Sequence, residues 1–348
     1  MSSEEVTATI TNWNGRQYLE GCIGSLLAQT RVPSRIILVD NASTDGSVEF
    51  VRERFPSVEI LELPVNGGPC PARNAGLEAA DTTWVLQVDN DVHLASDCLE
   101  RLLAHREKEC AILQPRALFD GERDRIHYDG GHFHYVGMMT LVNFYTPLRD
   151  AGDRPRDIDA AISFALLLHR EKVLEAGGYD PAHFILFEDH DLSLRVRQRG
   201  HVVRHVPDAI AYHREGTAGI SFRTEQAYSP RRVLFHSRNR WFVLLKCHSW
   251  RSLLLGVPGF LAYEAAYLAF ALRKGHGGAW CLGKWQLLRA LPRLLRQRRV
   301  VQRARRVRDR DLLRADPLTV SPLIRPGRAL RALSRFLTVW WRLVRPLA

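Results

Sequence analysis

Short apolar segments alternate with helical segments through the first 90 residues of the chain. The β-branched and apolar segments that predict strands are Val6–Thr11, Arg35–Asp40, Val58–Leu63 and a run beginning at Trp84. Apolar residues at helical spacing predict a helix from about Tyr18 to Ala28, and a second helix is predicted to begin near Pro71 or Ala72. Because strands and helices that alternate in this way form βαβ units, the sequence predicts an α/β fold with a mostly parallel sheet flanked by helices.

Acidic residues follow two of these predicted strands. Asp40 ends the second strand, while Asp89 and Asp91 follow the run that begins at Trp84. Ligands of open α/β sheets bind at the carboxyl ends of the strands, and two carboxylates one residue apart suit a Mg2+ or Mn2+ ion that shares phosphate oxygens. The pattern predicts a nucleotide site. A solvated turn is the alternative for the pair, and a turn or helix-capping role is the alternative for Asp40.

A second acidic cluster follows the apolar run Phe184–Phe187. Glu188, Asp189 and Asp191 fall in the first turn of a predicted helix. Acids in this position stabilise a helix N-terminus, and Asp191 is spaced to pair with Arg195 one turn later. Partial burial behind the apolar run would instead orient a carboxylate and raise its pKa toward a catalytic value. The residues alone leave both interpretations open.

The segment Ile126–His134 contains three histidines and one aspartate, so it imitates a metal site. Its two glycines and alternating aromatic residues are more typical of an irregular hairpin. We therefore predict a hairpin on the acceptor side of the site and no metal role for this segment.

Charge is distributed unevenly along the 348 residues. Residues 241–348 hold 22 Lys+Arg against 4 Asp+Glu, whereas residues 1–240 hold 27 against 34. A strongly basic segment predicts contact with an anionic surface, either a membrane or a nucleic acid. The six cysteines include no C-x-x-C pair, and the first residues show no secretion signal, so the sequence predicts a reducing, cytoplasmic location.

The motifs occur in an order that resembles the family 2 glycosyltransferases of the GT-A fold, and among them a rhamnosyltransferase-like bacterial subgroup. The segments that carry the resemblance are Thr9–Asn14, Val39–Gly46, Asn66–Gly68, Ala72–Gly76, Val88–Asp91 and Gly177–Arg195. The likeness covers about residues 6–245. It implies a GT-A catalytic domain over residues 1–245, with a nucleotide-sugar half to about residue 95 and an acceptor half from about residue 96. Residues 246–348 are then a helical, basic, amphipathic appendage.

The resemblance also implies roles for individual residues. By matching position, the donor would be bound by Thr11, Asn14, Asp40, Arg73 and Asp89, with Asp40 at the nucleotide base. The divalent metal, Mn2+ or Mg2+, would be bound by Asp89, Asp91 and His213. Asp189 would be the general base, with Glu188 and Asp191 beside it to orient the acceptor or a loop.

The basic appendage predicts association with a membrane surface. Leu253–Leu272 is apolar over a length close to that needed to cross a bilayer, but it contains the central acid Glu264 and two glycines. We therefore favour a helical hairpin in the interface over a single spanning helix. The segment from Arg328 to Arg342 is amphipathic, with arginines on one face and Leu and Trp on another, as in helices that lie on an anionic leaflet. A helix packed on the catalytic domain is the alternative.

Together these features predict a metal-dependent, inverting hexosyl- or deoxyhexosyltransferase. It would move a sugar from a nucleotide-sugar donor to a hydroxyl of a glycan or lipid-linked acceptor in cell-surface polysaccharide synthesis, on the inner face of the plasma membrane. One alternative is a nucleotidyltransferase, although the sequence lacks a glycine-rich phosphate loop with a following basic residue near its first strand. The other is a nucleic-acid-binding protein, although the tail lacks the aromatic pattern of a stacking platform.

Overall fold

The computed structural model describes residues 5–214, 228–319 and 327–348. Most of the N-terminal segment considered for a secretion signal lies outside these ranges. The chain divides into two compact units. The first comprises residues up to 131, 142–196 and 201–215, and the second comprises residues 132–141, 197–200 and those from 216 onward. The predicted domain boundary near residue 245 stays a prediction.

The first unit is built on a ten-stranded sheet flanked by helices. Its strands are β1 Val6–Asn12, β2 Arg35–Asp40, β3 Glu59–Glu62, β4 Trp84–Asp89, β5 Val92–Leu94, β6 Cys110–Phe119, β7 Ile126–Tyr128, β10 Arg156–Ile158, β11 Ala165–His169 and β12 Val202–His213. Its helices are α1 Arg16–Leu27, α2 Ser47–Arg54, α3 Pro69–Ala79, α4 Cys98–Ala104, α5 Arg170–Glu175 and α6 Glu188–Gln198, the last of which ends in the second unit. The predicted α/β class with flanking helices is confirmed.

The strand order places the predicted nucleotide half on parallel pairs. The order is β10-β12-β6-β11-β4-β1-β2-β3, and β1 pairs in parallel with both β2 and β4. Beyond β4 the sheet is mixed, because β11 runs antiparallel to both β4 and β6. The strands β1, β2 and β4 all end at one edge, where Thr11 is in register with Asp89 and Asn12 with Asp40.

Helices cover both faces of the central strand β1, which explains why its residues are apolar or uncharged. Val6, Ala8 and Ile10 share a buried cluster with apolar residues of α1. On the opposite face, Gly76 of α3 approaches Thr9 so closely that an added Cβ would lie 3.0 Å from the threonine Cβ. A strand buried on both faces is typical of parallel sheets, and this burial fixes the positions of the strand ends.

The second unit is mainly helical. Its helices are α7 Pro230–Cys247, α8 Trp250–Arg273, α9 Gly277–Arg303, α10 Asp309–Leu312 and α11 Arg328–Val344. Its small sheet consists of β8 Gly131–His134, β9 Met138–Leu141 and β13 Leu313–Arg314. The first residue of β8 belongs to the first unit. The indole of Trp341 stacks on the ring of Tyr135 with centroids 4.6 Å apart. Within the described residues, α8 alone has the length and apolar composition of a membrane span.

Candidate active site

The strand-end edge carries the donor residues predicted from the sequence. Asp40 is buried, and its carboxylate accepts hydrogen bonds from the Asn12 side chain at 2.8 Å and from the Ser43 amide at 2.8 Å. Asn12 in turn accepts from the side chain of Asn90 at 2.7 Å. This chain of bonds links the end of β2 to the turn between Asp89 and Asp91. The bond from the Ser43 amide gives Asp40 the turn-forming role that the sequence offered as an alternative to nucleotide binding. Contact between Asp40 and a nucleotide base stays a prediction.

Thr11 and Asn14 lie at the same edge. Thr11 is half-buried beside Asp89 in the sheet register. Asn14 is exposed, and its side-chain oxygen accepts a hydrogen bond from the Thr44 amide at 2.8 Å. Asn14 therefore ties the loop after β1 to the loop after β2.

Arg73 connects the two acidic clusters. This buried α3 residue donates from Nη2 to both carboxylate oxygens of Asp89 at 3.0 Å and to the Ser163 carbonyl at 2.8 Å. Its Nη1 lies 3.4 Å from Glu188 and 3.9 Å from Asp189. One guanidinium thus brings together carboxylates that are a hundred residues apart in sequence. The sequence placed Arg73 in the donor pocket but did not indicate this bridging position.

Burial and crowding of like charges control protonation in this cluster. Burial, with a contribution from the neighbouring Asp189 charge, raises the pKa of Glu188 to about 8, although Arg73 opposes the shift. Burial also raises the pKa of Asp89 to about 6. The positive charge of Arg73 opposes this shift, and the negative charge of Asp91 adds to it. Glu188 therefore holds its proton near neutral pH. Asp189 is more exposed, with 19% of its side-chain surface accessible.

His213 and Asp91 form a second part of the site. The end of β12 pairs with β5, which brings His213 Nε2 to 3.3 Å from Asp91 Oδ2. The other ring nitrogen of His213 lies 3.1 Å from the Tyr128 hydroxyl, and its ring stacks on Phe164. Tyr128 was not singled out from the sequence, because its contact with His213 spans 85 positions. The only signal was its place in the Ile126–His134 segment.

The three predicted metal ligands are only partly assembled. Asp91 and His213 are paired, whereas Asp89 is bound to Arg73. Within the described parts of the chain, the one group of three potential ligands with all ligand atoms within 4.8 Å is Asp180, His183 and Asp191. A carboxylate and an imidazole still fit Mg2+ or Mn2+, because such ions keep several waters and bind substrate phosphates.

Asp191 faces the protein interior. It is fully buried, and Arg195 donates to its carboxylate from Nε at 2.9 Å and from Nη2 at 2.7 Å. Arg195 also donates to the carbonyls of Ala176 and Gly178. Asp191 therefore orients the loop before the cluster through Arg195. These contacts fit the loop-orienting part of the prediction, and an acceptor-side role for Asp191 stays a prediction.

The loop that leads to Asp189 has an unusual backbone. Phe184, Leu186 and Phe187 all have φ between 61° and 70°, a region that residues with a Cβ rarely occupy. The loop also approaches Gly68, where a Cβ would lie 2.8 Å from the Phe184 carbonyl oxygen. Strained conformations of this kind cluster at functional sites, where the surrounding structure maintains them. The glycine of the Asn66–Gly68 motif thus permits the close approach of the two site loops.

The histidine-rich segment forms no metal cluster among the described residues. Its Asp129 binds Arg116 through two hydrogen bonds of 3.0 and 3.1 Å, and His127 packs among aromatic rings. These contacts give Asp129 and His127 structural roles, and the absence of a metal role for this segment stays a prediction.

The sequence of the chain is similar to those of known glycosyltransferases. The sequence model described as glycosyl transferase family 2 matches residues 7–173. The chain is 27% identical over 261 residues to an N-acetylglucosaminyl-diphospho-decaprenol L-rhamnosyltransferase of Mycobacterium tuberculosis, covering 68% of this chain and 83% of the relative. It is 26% identical over 221 residues to the amylovoran biosynthesis glycosyltransferase AmsE of Erwinia amylovora, covering 63% and 78%.

Solved structures agree with the fold. The crystal structure of GalNAc-T7 with UDP, GalNAc and Mn2+ superposes with a TM-score of 0.56 at 18% identity, covering 76% of this chain and 51% of that chain. This chain thus spans about half the length of that protein. The family match, the relatives and the fold, taken with the ordered motifs at one sheet edge, identify residues 7–173 as a glycosyl transferase family 2 domain with a GT-A sheet.

Proposed function

We propose that the protein catalyses a metal-dependent, inverting transfer of a hexose or deoxyhexose from a nucleotide-sugar donor to an acceptor hydroxyl. The observation that carries the proposal is the bridge made by Arg73 between Asp89 at the donor edge and the Glu188–Asp189 pair. This bridge holds the donor-side carboxylate and the candidate base in one cluster, as a single displacement requires.

On the donor side, Thr11, Asn14 and Asp40 line the edge at which the nucleotide binds. Asp91 and His213 would hold a divalent ion, Mn2+ or Mg2+, with Asp89 as the third predicted ligand. Such an ion would neutralise the negative charge that develops on the departing nucleoside diphosphate. The Mn2+ and UDP named for the similar GalNAc-T7 structure support this assignment only through the shared fold.

On the acceptor side, Asp189 is the general base. Its carboxylate takes the proton of the acceptor hydroxyl as that oxygen bonds to the anomeric carbon, and the bond from this carbon to the diphosphate oxygen breaks. Attack from the face opposite the leaving group inverts the anomeric configuration. Arg73 lies 3.9 Å from Asp189, and the protonated Glu188 adds no competing negative charge beside the base.

The acceptor is proposed to be a glycan or a lipid-linked sugar of a cell-surface polysaccharide. The support comes from the names of the relatives, one of which concerns amylovoran biosynthesis and another a diphospho-decaprenol-linked sugar. We also propose that the protein acts in the cytoplasm, peripherally on the inner face of the plasma membrane, and that the basic residues after 245 provide the contact.

A panel of sugar nucleotides tests the proposed reaction. The full chain, supplied with Mn2+ and each donor, should release a nucleoside diphosphate from a small subset of donors, and the same donors should raise its unfolding temperature. Release of pyrophosphate from a nucleoside triphosphate and a sugar phosphate would instead identify a nucleotidyltransferase and contradict the proposal.

The Asp91→Ala variant should bind Mn2+ more weakly and lose the stimulation of activity by added metal. The reason is that Asp91 is paired with His213, and its removal takes a negatively charged ligand away from the ion. Titration with Mn2+, followed by its electron paramagnetic resonance signal, measures the dissociation constant without any turnover. A chelator should abolish the wild-type activity, and a wild-type rate that is unchanged by chelator would refute the metal assignment.

The Tyr128→Phe variant tests the same metal site in the same Mn2+ titration, through the hydrogen bond between Tyr128 and His213. When His213 Nδ1 carries the proton and donates to the Tyr128 oxygen, the Nε2 lone pair points toward Asp91 and is available to the ion. Loss of such a supporting hydrogen bond weakens metal affinity by about 10–100-fold. Asp97→Ala, which changes an exposed acid, is the matched control and should bind Mn2+ as the wild type does.

A further inference from the structure

Helix α8 exposes an unbroken apolar stripe. The exposed residues follow each other at intervals of three, four or seven positions, which places them on one helical face: Trp250, Leu254, Val257, Leu261, Ala265 and Leu272. At 1.5 Å per residue this stripe is about 33 Å long. It contains no charged residue, and the exposed Arg251 and Arg273 lie at the two ends of the helix. A contiguous apolar surface of this size indicates an interaction site.

The opposite face of α8 is buried within the second unit. Its side chains Phe260, Tyr263 and Tyr267 are buried. The central acid Glu264 lies at the border between this face and the stripe, and neighbouring side chains bind both of its carboxylate oxygens. The donors to Glu264 are Arg240, Trp241 at 2.8 Å, Trp280 at 2.9 Å and Lys284 at 2.5 Å. Burial alone would raise the pKa of Glu264, but Arg240 and Lys284 hold it below its usual value, so the side chain stays ionised.

This network argues against a helix that crosses the bilayer. A spanning α8 would carry Glu264 and its cationic partners on α7 and α9 into the hydrocarbon layer, where charged side chains are strongly disfavoured. An α8 that lies flat keeps the network inside the protein and offers only the apolar stripe to lipid. The lack of charged residues on the stripe and the full set of partners of Glu264 thus point to the same orientation.

Helix α11 has a matching arrangement. Its inner side buries Leu337 and Trp341, while Phe336, Val339 and Leu343 are exposed at intervals of three and four. The indole of Trp340 donates a hydrogen bond to the Leu255 carbonyl at 2.8 Å, which attaches α11 directly to α8. Each helix therefore hides one apolar face in the unit and exposes another.

Arginines accompany these exposed faces. Those exposed on α11 and directly after it are Arg328, Arg331, Arg335, Arg342 and Arg345. No acidic residue occurs between positions 317 and 348 to offset them. An apolar stripe beside guanidinium groups matches the boundary between the acyl chains and the anionic headgroups of a leaflet. A protein partner of the same face would need a dense acidic rim around an apolar core.

We propose that the apolar stripes of α8 and α11 lie in the plane of one anionic leaflet and that α8 does not cross the bilayer. The inference deepens the proposed peripheral membrane location and rests on it. It is independent of the catalytic chemistry, which belongs to residues of the first unit.

A flotation experiment with two double variants tests the surface. The full chain should float with vesicles of phosphatidylcholine containing about one third phosphatidylglycerol and much less with pure phosphatidylcholine. Leu254→Gln combined with Leu261→Gln should lower the bound fraction at least about tenfold, because both leucines enter the interface. The matched control combines Val32→Gln and Val65→Gln, two exposed apolar residues of the first unit, and should float as the wild type does.

Two outcomes would overturn the proposal at this stage. One is equal flotation of the two double variants. The other is a change of oligomeric state in the Leu254→Gln, Leu261→Gln variant without vesicles, because this change would show that the stripe binds a second copy of the chain. Hydrolysis of the donor in solution should be the same in both variants. Loss of hydrolysis with normal flotation would contradict the proposed reaction and leave the lipid surface intact.

The depth of spin labels separates a flat helix from a spanning one. Leu254 and Leu272 lie five helical turns apart on the same exposed face, a separation of about 27 Å along the axis. In a Cys281→Ser background, which removes the exposed native cysteine, each leucine is replaced in turn by a nitroxide-labelled cysteine. Similar immersion depths are expected at both positions. Depths that place the two labels near opposite surfaces would show a spanning helix and refute the proposal.

Discussion

The Asp189→Asn variant is expected to lose about 10²–10⁴-fold in turnover while it binds the donor with nearly unchanged affinity. An amide cannot accept the acceptor proton, yet it keeps the shape of the carboxylate and its position 3.9 Å from Arg73. Turnover is measured as release of nucleoside diphosphate in the presence of acceptor. Donor affinity is measured by the shift in unfolding temperature with nucleoside diphosphate and Mn2+.

The Glu188→Gln variant is the matched control for this experiment. Glu188 adjoins Asp189 in sequence and faces the same guanidinium, but its raised pKa, near 8, leaves it protonated at neutral pH. Glutamine imitates the protonated acid, so this variant should keep most of the wild-type rate. A large loss in Glu188→Gln with a small loss in Asp189→Asn would exchange the two assignments, and near-normal rates in both would exclude this cluster as the source of the base.

The sequence predicted the elements of the site better than the contacts between them. The strand ends at Asp40 and Asp89 follow from local apolar patterns, and the structure places them at one sheet edge through the register of β1 with β2 and β4. The position of Arg73 depends on how α3 packs against both this edge and the start of α6. Such long-range packing leaves no periodic signal in the sequence, because each partner is compatible with other roles.

The same distinction between elements and contacts applies to Asp191 and Tyr128. Asp191 occupies a motif position beside the candidate base, but the helix turns its carboxylate inward to Arg195, as the spacing of four residues had allowed. Tyr128 occupies the segment predicted as a hairpin, but its strand β7 pairs with β6, and the end of β12 brings His213 against the Tyr128 hydroxyl. In both cases the direction of a side chain, set by tertiary packing, decided its role.

A second large effect is expected on stability. The Asp129→Asn variant should lose about 3–5 kcal/mol of the free energy of unfolding, because it leaves the buried Arg116 without its carboxylate partner. Asp129 is fully buried and also lies 3.3 Å from His205 and 2.7 Å from the side-chain nitrogen of Asn143. Urea unfolding at neutral pH, followed by circular dichroism, measures the difference from the wild type.

The pH dependence of this difference provides the decisive control. Burial alone would raise the pKa of Asp129, but His205 and Arg116 hold it well below its usual range, so the carboxylate stabilises the folded state wherever the unfolded chain is also ionised. The stabilisation is complete above a pH of about 4 and is lost as the pH falls from there toward the folded-state pKa. The gap between wild type and Asp129→Asn should therefore shrink as the pH falls below about 4. Asp157→Asn, which removes an exposed partner of Arg204, should cost no more than about 1 kcal/mol. A gap for Asp129→Asn that is equally small, or that does not change with pH, would show that the buried ion pair does not hold this part of the sheet together.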